Sequence, residues 1–388
     1  MPQPTSTDAK KSGADKKERR QEKGVSEQMR ADHFATKEMR ELHDKASNLM
    51  RQGNYRQAFD AYVEYGDSAS KIKGLIGGEA AILEGARKFE ELRYWNEAGN
   101  LYAVAANYLN NSGTFSDAAD FYLMAAERLA KADDRSMAGF IASCYAAAAH
   151  ALREIKSTGQ SDAALIKGVL VATGDDPREA EASAFKMTKV GDFENASGMF
   201  LKAASTYLKG TDELSGLAST VGIGSLAVDV KSVLQHRAGQ DFLAAATCLL
   251  KSEAKADLVK GYLVKAADEF TNAVFNFTPL FSLGEANKED SRRYSYDLVM
   301  ATALRIVLGS TEDIETLKQQ LTYANEKPTK ELQESKSLTV ARLLMEKKKV
   351  ETVVGDLREI QFGTMEELKD PIIELFLSYK TAGKRARR

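Results

Sequence analysis

The 388-residue sequence predicts an all-α fold, and three observations lead there. Only six prolines occur, none of them between Pro4 and Pro177. The long stretches between are rich in Ala, Leu, Glu and Lys, side chains that lose little freedom in a helix. No segment alternates apolar and polar residues with the period of two that a half-buried strand requires. Finally, one helical-face pattern recurs. Trp95-x-x-Ala98-x-x-x-Tyr102-x-x-Ala105-Ala106 returns as Phe115-x-x-Ala118-x-x-x-Tyr122-x-x-Ala125-Ala126 and as Phe193-x-x-Ala196-x-x-x-Phe200-x-x-Ala203-Ala204, with a weaker copy at Tyr55-x-x-Ala58-x-x-x-Tyr62.

Offsets of three, seven and ten or eleven put these positions on one helix face. An aromatic ring beside a small residue lets a neighbouring helix come close while the ring fills the remaining gap. Each copy follows a short turn with its own breaker: Gly53-Asn54, Gly113-Thr114 and Gly191-Asp192. This is tetratricopeptide-like logic, in which a helix hairpin cannot bury its apolar face alone and so stacks on the next. The spacing between copies is irregular, unlike a regular 34-residue array. The predicted architecture is a right-handed superhelical stack of tetratricopeptide-like antiparallel hairpins with a C-terminal helical bundle.

In chain order, residues 1–28 are polar and carry Lys10, Lys11, Lys16, Lys17, Arg19, Arg20 and Lys23. They bury too little apolar surface to offset ordering entropy and read as a flexible basic arm. Residues 29–290 form the solenoid and 291–378 the bundle. Pro177, Pro279, Pro328 and Pro371 sit at breaks or in the first turn of a helix. Residues 379–388 are a basic tail ending Lys384-Arg385-Ala386-Arg387-Arg388.

Composition narrows the function. Hydrophobic residues at 43% and charged residues at 28% are the balance of a folded soluble chain, and a net charge of −2 gives no global field towards nucleic acid. Two cysteines, Cys144 and Cys248, lie in alanine-rich stretches; they are too few for a disulfide framework and fit a reducing compartment. The start has no apolar core of a secretory signal, and no run of about 18 apolar residues occurs, so a cytoplasmic protein without a spanning helix is expected.

Chemistry has no candidate residues. His33, His43, His150 and His236 are scattered without a second ligand at helical spacing, so no metal site is expected. His150, on an alanine-rich helix, reads as a packed or capping histidine. No phosphate-binding glycine loop, nucleophile elbow or Cys–His cluster appears, and Gly222-Ile223-Gly224 reads as a helix turn. Asp175-Asp176 before Pro177 reads as a turn and helix N-cap. No cofactor and no enzyme activity are expected.

Trp95-Asn96-Glu97-Ala98-Gly99-Asn100, Ser116-Asp117-Ala118-Ala119 and Lys131-Ala132-Asp133 resemble the soluble NSF attachment proteins, the SNAP family. Asp192-Phe193-Glu194-Asn195-Ala196 through Tyr207-Leu208-Lys209-Gly210, and then Pro279-Leu280-Phe281-Ser282, continue the resemblance in the same order. It spans about residues 70 to 320. Gly74-Leu75-Ile76-Gly77-Gly78 is similar to the family's hydrophobic membrane-touching loop.

The resemblance implies an adaptor that binds a helical SNARE-like bundle and presents it to an AAA-type ATPase in vesicle-mediated transport. It implies membrane contact through Leu75, Ile76 and Gly77, a basic concave face for which Lys167, Lys202 and Lys209 are the candidates, and an ATPase-facing final helix with Ile373, Leu375, Phe376 and Leu377. Peripheral contact with an anionic membrane would be assisted by the basic tails. The chain departs from the family in ending on Lys-Arg-Ala-Arg-Arg where the family ends on an acidic tail. It also has no basic residue from Gly210 to Val230. A helical scaffold for an assembly or coat, with no ATPase partner, is the alternative reading.

Overall fold

The proline-poor stretches fold as helices, and no strand occurs among the described residues. This structure, a computed structural model, describes residues 36–217, 226–284, 286–310 and 313–385. The basic arm at 1–28, the side chains of the tail at 379–388 and the Gly222-Ile223-Gly224 turn lie outside that description. The chain separates into two compact units that meet at Asp133 and Asp134.

Unit 1 contains α1 (36–51), α2 (Tyr55–Lys73), α3 (Leu75–Glu91), α4 (Trp95–Asn111) and α5 (Phe115–Lys131). From α2 to α5, each helix packs on its successor, and turns of one to three residues make neighbours antiparallel. The recurring face is the core of this stack: Tyr62, Tyr102 and Tyr122 are buried among Ala58, Ala98, Ala105, Ala118 and Ala125. Glycines allow a close crossing between α2 and α3. A Cβ on Gly85 would stand 2.6 Å from Tyr62 Cγ, and one on Gly66 2.5 Å from Ile82 Cδ1.

The predicted breakers work as expected. Gly53, Gly113 and Gly191 have φ of 74°, 79° and 79°, a left-handed geometry that glycine adopts without steric cost. The residue after each donates its N–H to the carbonyl five positions back: Asn54 to Leu49, Thr114 to Leu109 and Asp192 to Met187. The same turn recurs without glycine. Arg93 (φ 62°), Lys156 (φ 62°) and Glu253 (φ 57°) are followed by Tyr94, Ser157 and Ala254 donating to Phe89, Leu152 and Leu249.

Unit 2 contains α6 (Ala138–Glu154), α7 (Thr158–Thr173), α8 (Pro177–Lys189), α9 (Phe193–Leu217), α10 (Leu226–Lys251), α11 (Ala256–Leu283) and α12 (Lys288–Leu308). After them come α13 (Asp313–Ala324), α14 (Lys330–Gln333), α15 (Lys336–Lys347), α16 (Val354–Glu359) and α17 (Lys369–Arg385). Here α6 packs on α7, α8 on α9, and α9 through α12 follow one another side by side. Phe200 is buried and meets Phe185 edge to face at 5.2 Å. Asp176 caps α8 by accepting from the Arg178 N–H, with Pro177 in the first turn, as its sequence indicated.

One proline behaves differently from expectation. Pro279 does not close a helix: α11 runs through it to Leu283. Proline removes one N–H from the ladder, but Phe277, Leu280 and Phe281 are all buried on this last turn and a half. Their burial outweighs one lost hydrogen bond so near the helix end.

Candidate functional site

The expected membrane loop is not a loop. Gly74, at φ 75°, reverses the chain in a single residue, and Leu75 already starts α3. Gly77 and Gly78 both donate their N–H groups to the Gly74 carbonyl, at 2.9 and 3.2 Å. These glycines let α2 and α3 touch: a Cβ on Gly77 would collide with Lys73 Cβ, and one on Gly78 would lie 2.7 Å from Ser70 Cβ. Leu75 is half-buried, whereas Ile76 is 62% exposed.

Lys167, Lys202 and Lys209 are all exposed on unit 2. Two of them converge. From α9, Lys202 pairs with Asp175 at 2.9 Å, and Lys209 Nζ donates to the Thr173 carbonyl at 3.3 Å, where it complements the C-terminal dipole of α7. Lys167, within α7, instead lies over the Tyr145 ring at 5.7 Å. Pairing an exposed lysine contributes little to stability, so these ammonium groups stay available to a partner.

The final helix packs its apolar run inward. Ile373, Leu375 and Phe376 are buried and Leu377 is half-buried, so this apolar run closes the end of the core. Its outward residue is Glu374, which pairs with Lys251 of α10 at 3.2 Å. The reason is elementary: four large apolar side chains in five residues gain more from burial than from exposure on a monomer surface.

The feature that the sequence did not announce is a polar interior in unit 2. It starts with α12, whose first half reads Lys-Glu-Asp-Ser-Arg-Arg-Tyr-Ser-Tyr-Asp and yet is largely buried. Asn287 caps this helix by accepting from the Glu289 and Asp290 N–H groups, and Asp290 accepts from the Asn287 N–H in return. The same Asp290 carboxylate takes Arg153 of α6 at 2.8 Å, and Arg153 also reaches Asp229 of α10 at 3.0 Å. Asp229 in turn holds His150 Nδ1 at 2.6 Å, which makes His150 the packed histidine its surroundings suggested.

Next to this network is a cavity of about 260 Å³ between the start of α7, the middle of α10, the start of α12 and residues 361–364. Asp162 of α7 takes two guanidiniums, Arg293 at 2.7 Å and Arg237 at 3.2 Å. Burial alone would raise its carboxyl, but Arg293 and Arg237 overcome that and hold it below the usual range. Glu289 accepts from Arg292 at 2.8 Å and from Arg293 at 3.2 Å. Arg237 also donates to Thr364 Oγ1 at 3.1 Å, and Thr364 donates onward to Gln240 at 2.9 Å.

His236 lines the same cavity, its Nδ1 2.6 Å from the fully buried Asp297 carboxylate. Burial first, and then the charges of Arg293, Arg237 and Arg292, push the imidazole towards its neutral form. No group of three or more His, Cys, Asp or Glu that could hold a metal occurs among the described residues.

A scan of protein-family models gives no match to the chain. A search of curated proteins likewise finds none. Among solved structures, a circular tandem repeat protein with novel repeat topology and enhanced subunit contact surfaces is similar over 92% of this chain and 91% of its own. Identity is 10% and the TM-score 0.29, so the fold class rests on the helices described above and not on that likeness. No helix among the described residues is long and apolar enough to cross a membrane.

Proposed function

We propose that this chain is a non-catalytic helical-repeat adaptor of the SNAP type: it holds a helical, SNARE-like partner and presents it to an AAA-type ATPase in vesicle-mediated transport. The observation that carries the reading is the repeated aromatic–alanine hairpin, which folds as successive packed helices in both units. Stacked hairpins offer long, stiff faces on which many weak contacts add up. Lys202 and Lys209, exposed on one face of α9, supply cations for an acidic helical bundle. Ile76 is the one strongly exposed apolar side chain left of the expected membrane contact, and a single such residue would assist binding to an anionic membrane without anchoring it.

The test uses the full chain, a purified four-helix SNARE bundle and an AAA ATPase from the same cell. The bundle should bind saturably, and Lys202→Glu with Lys209→Glu should weaken it at least fivefold, because like charges at an interface oppose association. The ATPase should sediment with the bundle only when the chain is present.

A second reading, a structural scaffold without an ATPase, is favoured by one observation. Burial of Ile373, Leu375 and Phe376 leaves only the half-buried Leu377 of that run for an ATPase to grip. Bundle binding without ATPase recruitment would replace the adaptor by this scaffold, and absence of bundle binding would end the SNARE assignment.

A further inference from the structure

We infer that the polar cavity of unit 2 is a binding site for a small phosphorylated molecule. Guanidiniums outnumber carboxylates in its lining. Arg237, Arg292 and Arg293 line it, against Asp162 and Glu289. Each carboxylate is shared by two guanidiniums, and the neighbouring Asp290 is already taken by Arg153 and the Asn287 N–H. The Arg293 and Arg237 side chains are only 9% and 17% exposed, whereas Arg292 is 52% exposed. An entering anion would gain charge-assisted hydrogen bonds from guanidiniums already held in place.

Three further features face the same space. The sixteen-residue helix α7 begins there with Thr158 and Gly159, and no side chain caps it: the Ser157 hydroxyl is turned to Gln160. Free N–H groups and the positive end of the helix dipole favour an anion. Next, Tyr296 is 4% exposed and its hydroxyl, beside the Gln240 amide, makes no hydrogen bond of good geometry. Last, burial first and then the charges of the same three arginines push the His236 imidazole towards its neutral form.

The donors arrive from separate directions: guanidiniums from α10 and α12, N–H groups from α7, a phenol from α12. A tetrahedral phosphate with several acceptor oxygens matches that arrangement better than a planar carboxylate does. The volume, 260 Å³, lies just under the roughly 300–1,000 Å³ of drug-sized pockets, which suits a phosphate carrying a small organic group. A free metabolite and a lipid headgroup share this chemistry.

The experiment titrates inorganic pyrophosphate into the full-length chain by calorimetry at low ionic strength. Saturable one-to-one binding is expected. Arg292→Gln, at a half-exposed position, should weaken it about tenfold, the loss of one charge-assisted contact. Tyr296→Phe removes a hydroxyl that has no good partner, so it should weaken binding severalfold without lowering the melting temperature measured in the absence of pyrophosphate. Vesicles containing phosphatidic acid form a second arm. Co-sedimentation that pyrophosphate displaces assigns the phosphate to a lipid headgroup, and pyrophosphate binding without co-sedimentation assigns it to a free molecule. No saturable pyrophosphate binding, or equal binding by the parent and both variants, overturns the site. These outcomes are independent of whether a SNARE bundle or an ATPase binds.

Discussion

Replacing Asp241 with asparagine should make unit 2 more stable, and increasingly so as the pH rises. Asp241 lies on α10 with no exposure to solvent, and neither carboxylate oxygen has a hydrogen-bond partner. Burial, and then the charge of Glu181, push its carboxyl well above the ordinary value, while Arg237 pulls the other way without prevailing. The folded state therefore keeps a proton that the unfolded chain releases above about pH 4. A carboxyl raised in this way contributes its full stability below that pH and loses it as the pH climbs through the folded value.

The loss runs at about 1.4 kcal/mol per pH unit while the native carboxyl stays protonated, hence up to about 3 kcal/mol between pH 5 and pH 7. An asparagine at this position has no proton to hold, so Asp241→Asn should be within about 1 kcal/mol of the parent at pH 4, because a neutral acid and an amide leave similar groups unpaired. At pH 7 it should be more stable by up to about 4 kcal/mol. Glu181, also raised by burial and accepting from the Tyr207 hydroxyl at 2.8 Å, is present in both proteins, so the difference between them isolates Asp241 and its coupling to Glu181. Urea unfolding of both at pH 4, 5, 6 and 7 reads the effect. A difference that does not change with pH, or an asparagine variant that loses ground as pH rises, would refute the reasoning.

Two substitutions in unit 1 probe the backbone. Gly85→Ala would push a methyl group to 2.6 Å from the fully buried Tyr62 ring, which has no room to swing, and should destabilise by about 1–3 kcal/mol; an unchanged urea midpoint would show that the α2–α3 crossing gives way easily. Arg93→Gly relieves a left-handed residue that costs roughly 1–2 kcal/mol, partly offset by the greater freedom of glycine in the unfolded chain. A net gain of up to about 1 kcal/mol should raise the melting temperature, and a lower one would mean that the arginine side chain contributes more than its backbone strain costs.

Much of the fold could be read from local signals. The aromatic–alanine offsets located Tyr102, Tyr122 and Phe200 in the core, and glycine after a helix located three of the turns. The equivalent turns at Arg93, Lys156 and Glu253 carry no such signal, because the chain tolerates the strain of a side chain there. Gly74–Gly78 misled for a related reason. Glycine permits a loose loop and a tight helix crossing equally, and only the neighbouring helix decides which. Pro279 fails as a breaker where flanking phenylalanines stay buried.

The polar cavity was beyond reach from composition or spacing. Asp162 meets Arg237 and Arg293 across 75 and 131 positions of sequence, and each of these residues looks like part of an ordinary solvated face. The one available hint was α12 itself, where charged and hydroxyl residues occupy every face of a helix of 21 residues, leaving no obvious polar side for water. A helix of that kind must either stand in solvent or find partners inside.

Asp290 ties the start of α12 to α6 through one carboxylate, across 137 positions of sequence. In unit 1 the packing runs chiefly between successive helices, so opening can begin at either end and proceed a hairpin at a time. Unit 2 has no such freedom. Losing α6 strands the charges of Asp229 and Asp290 in the interior, and losing α12 takes one of the ion-pair partners of Arg153 and of Asp162. Neither end can fray without a large electrostatic penalty in the middle, so the ion-paired interior turns a modular string of hairpins into one cooperative block.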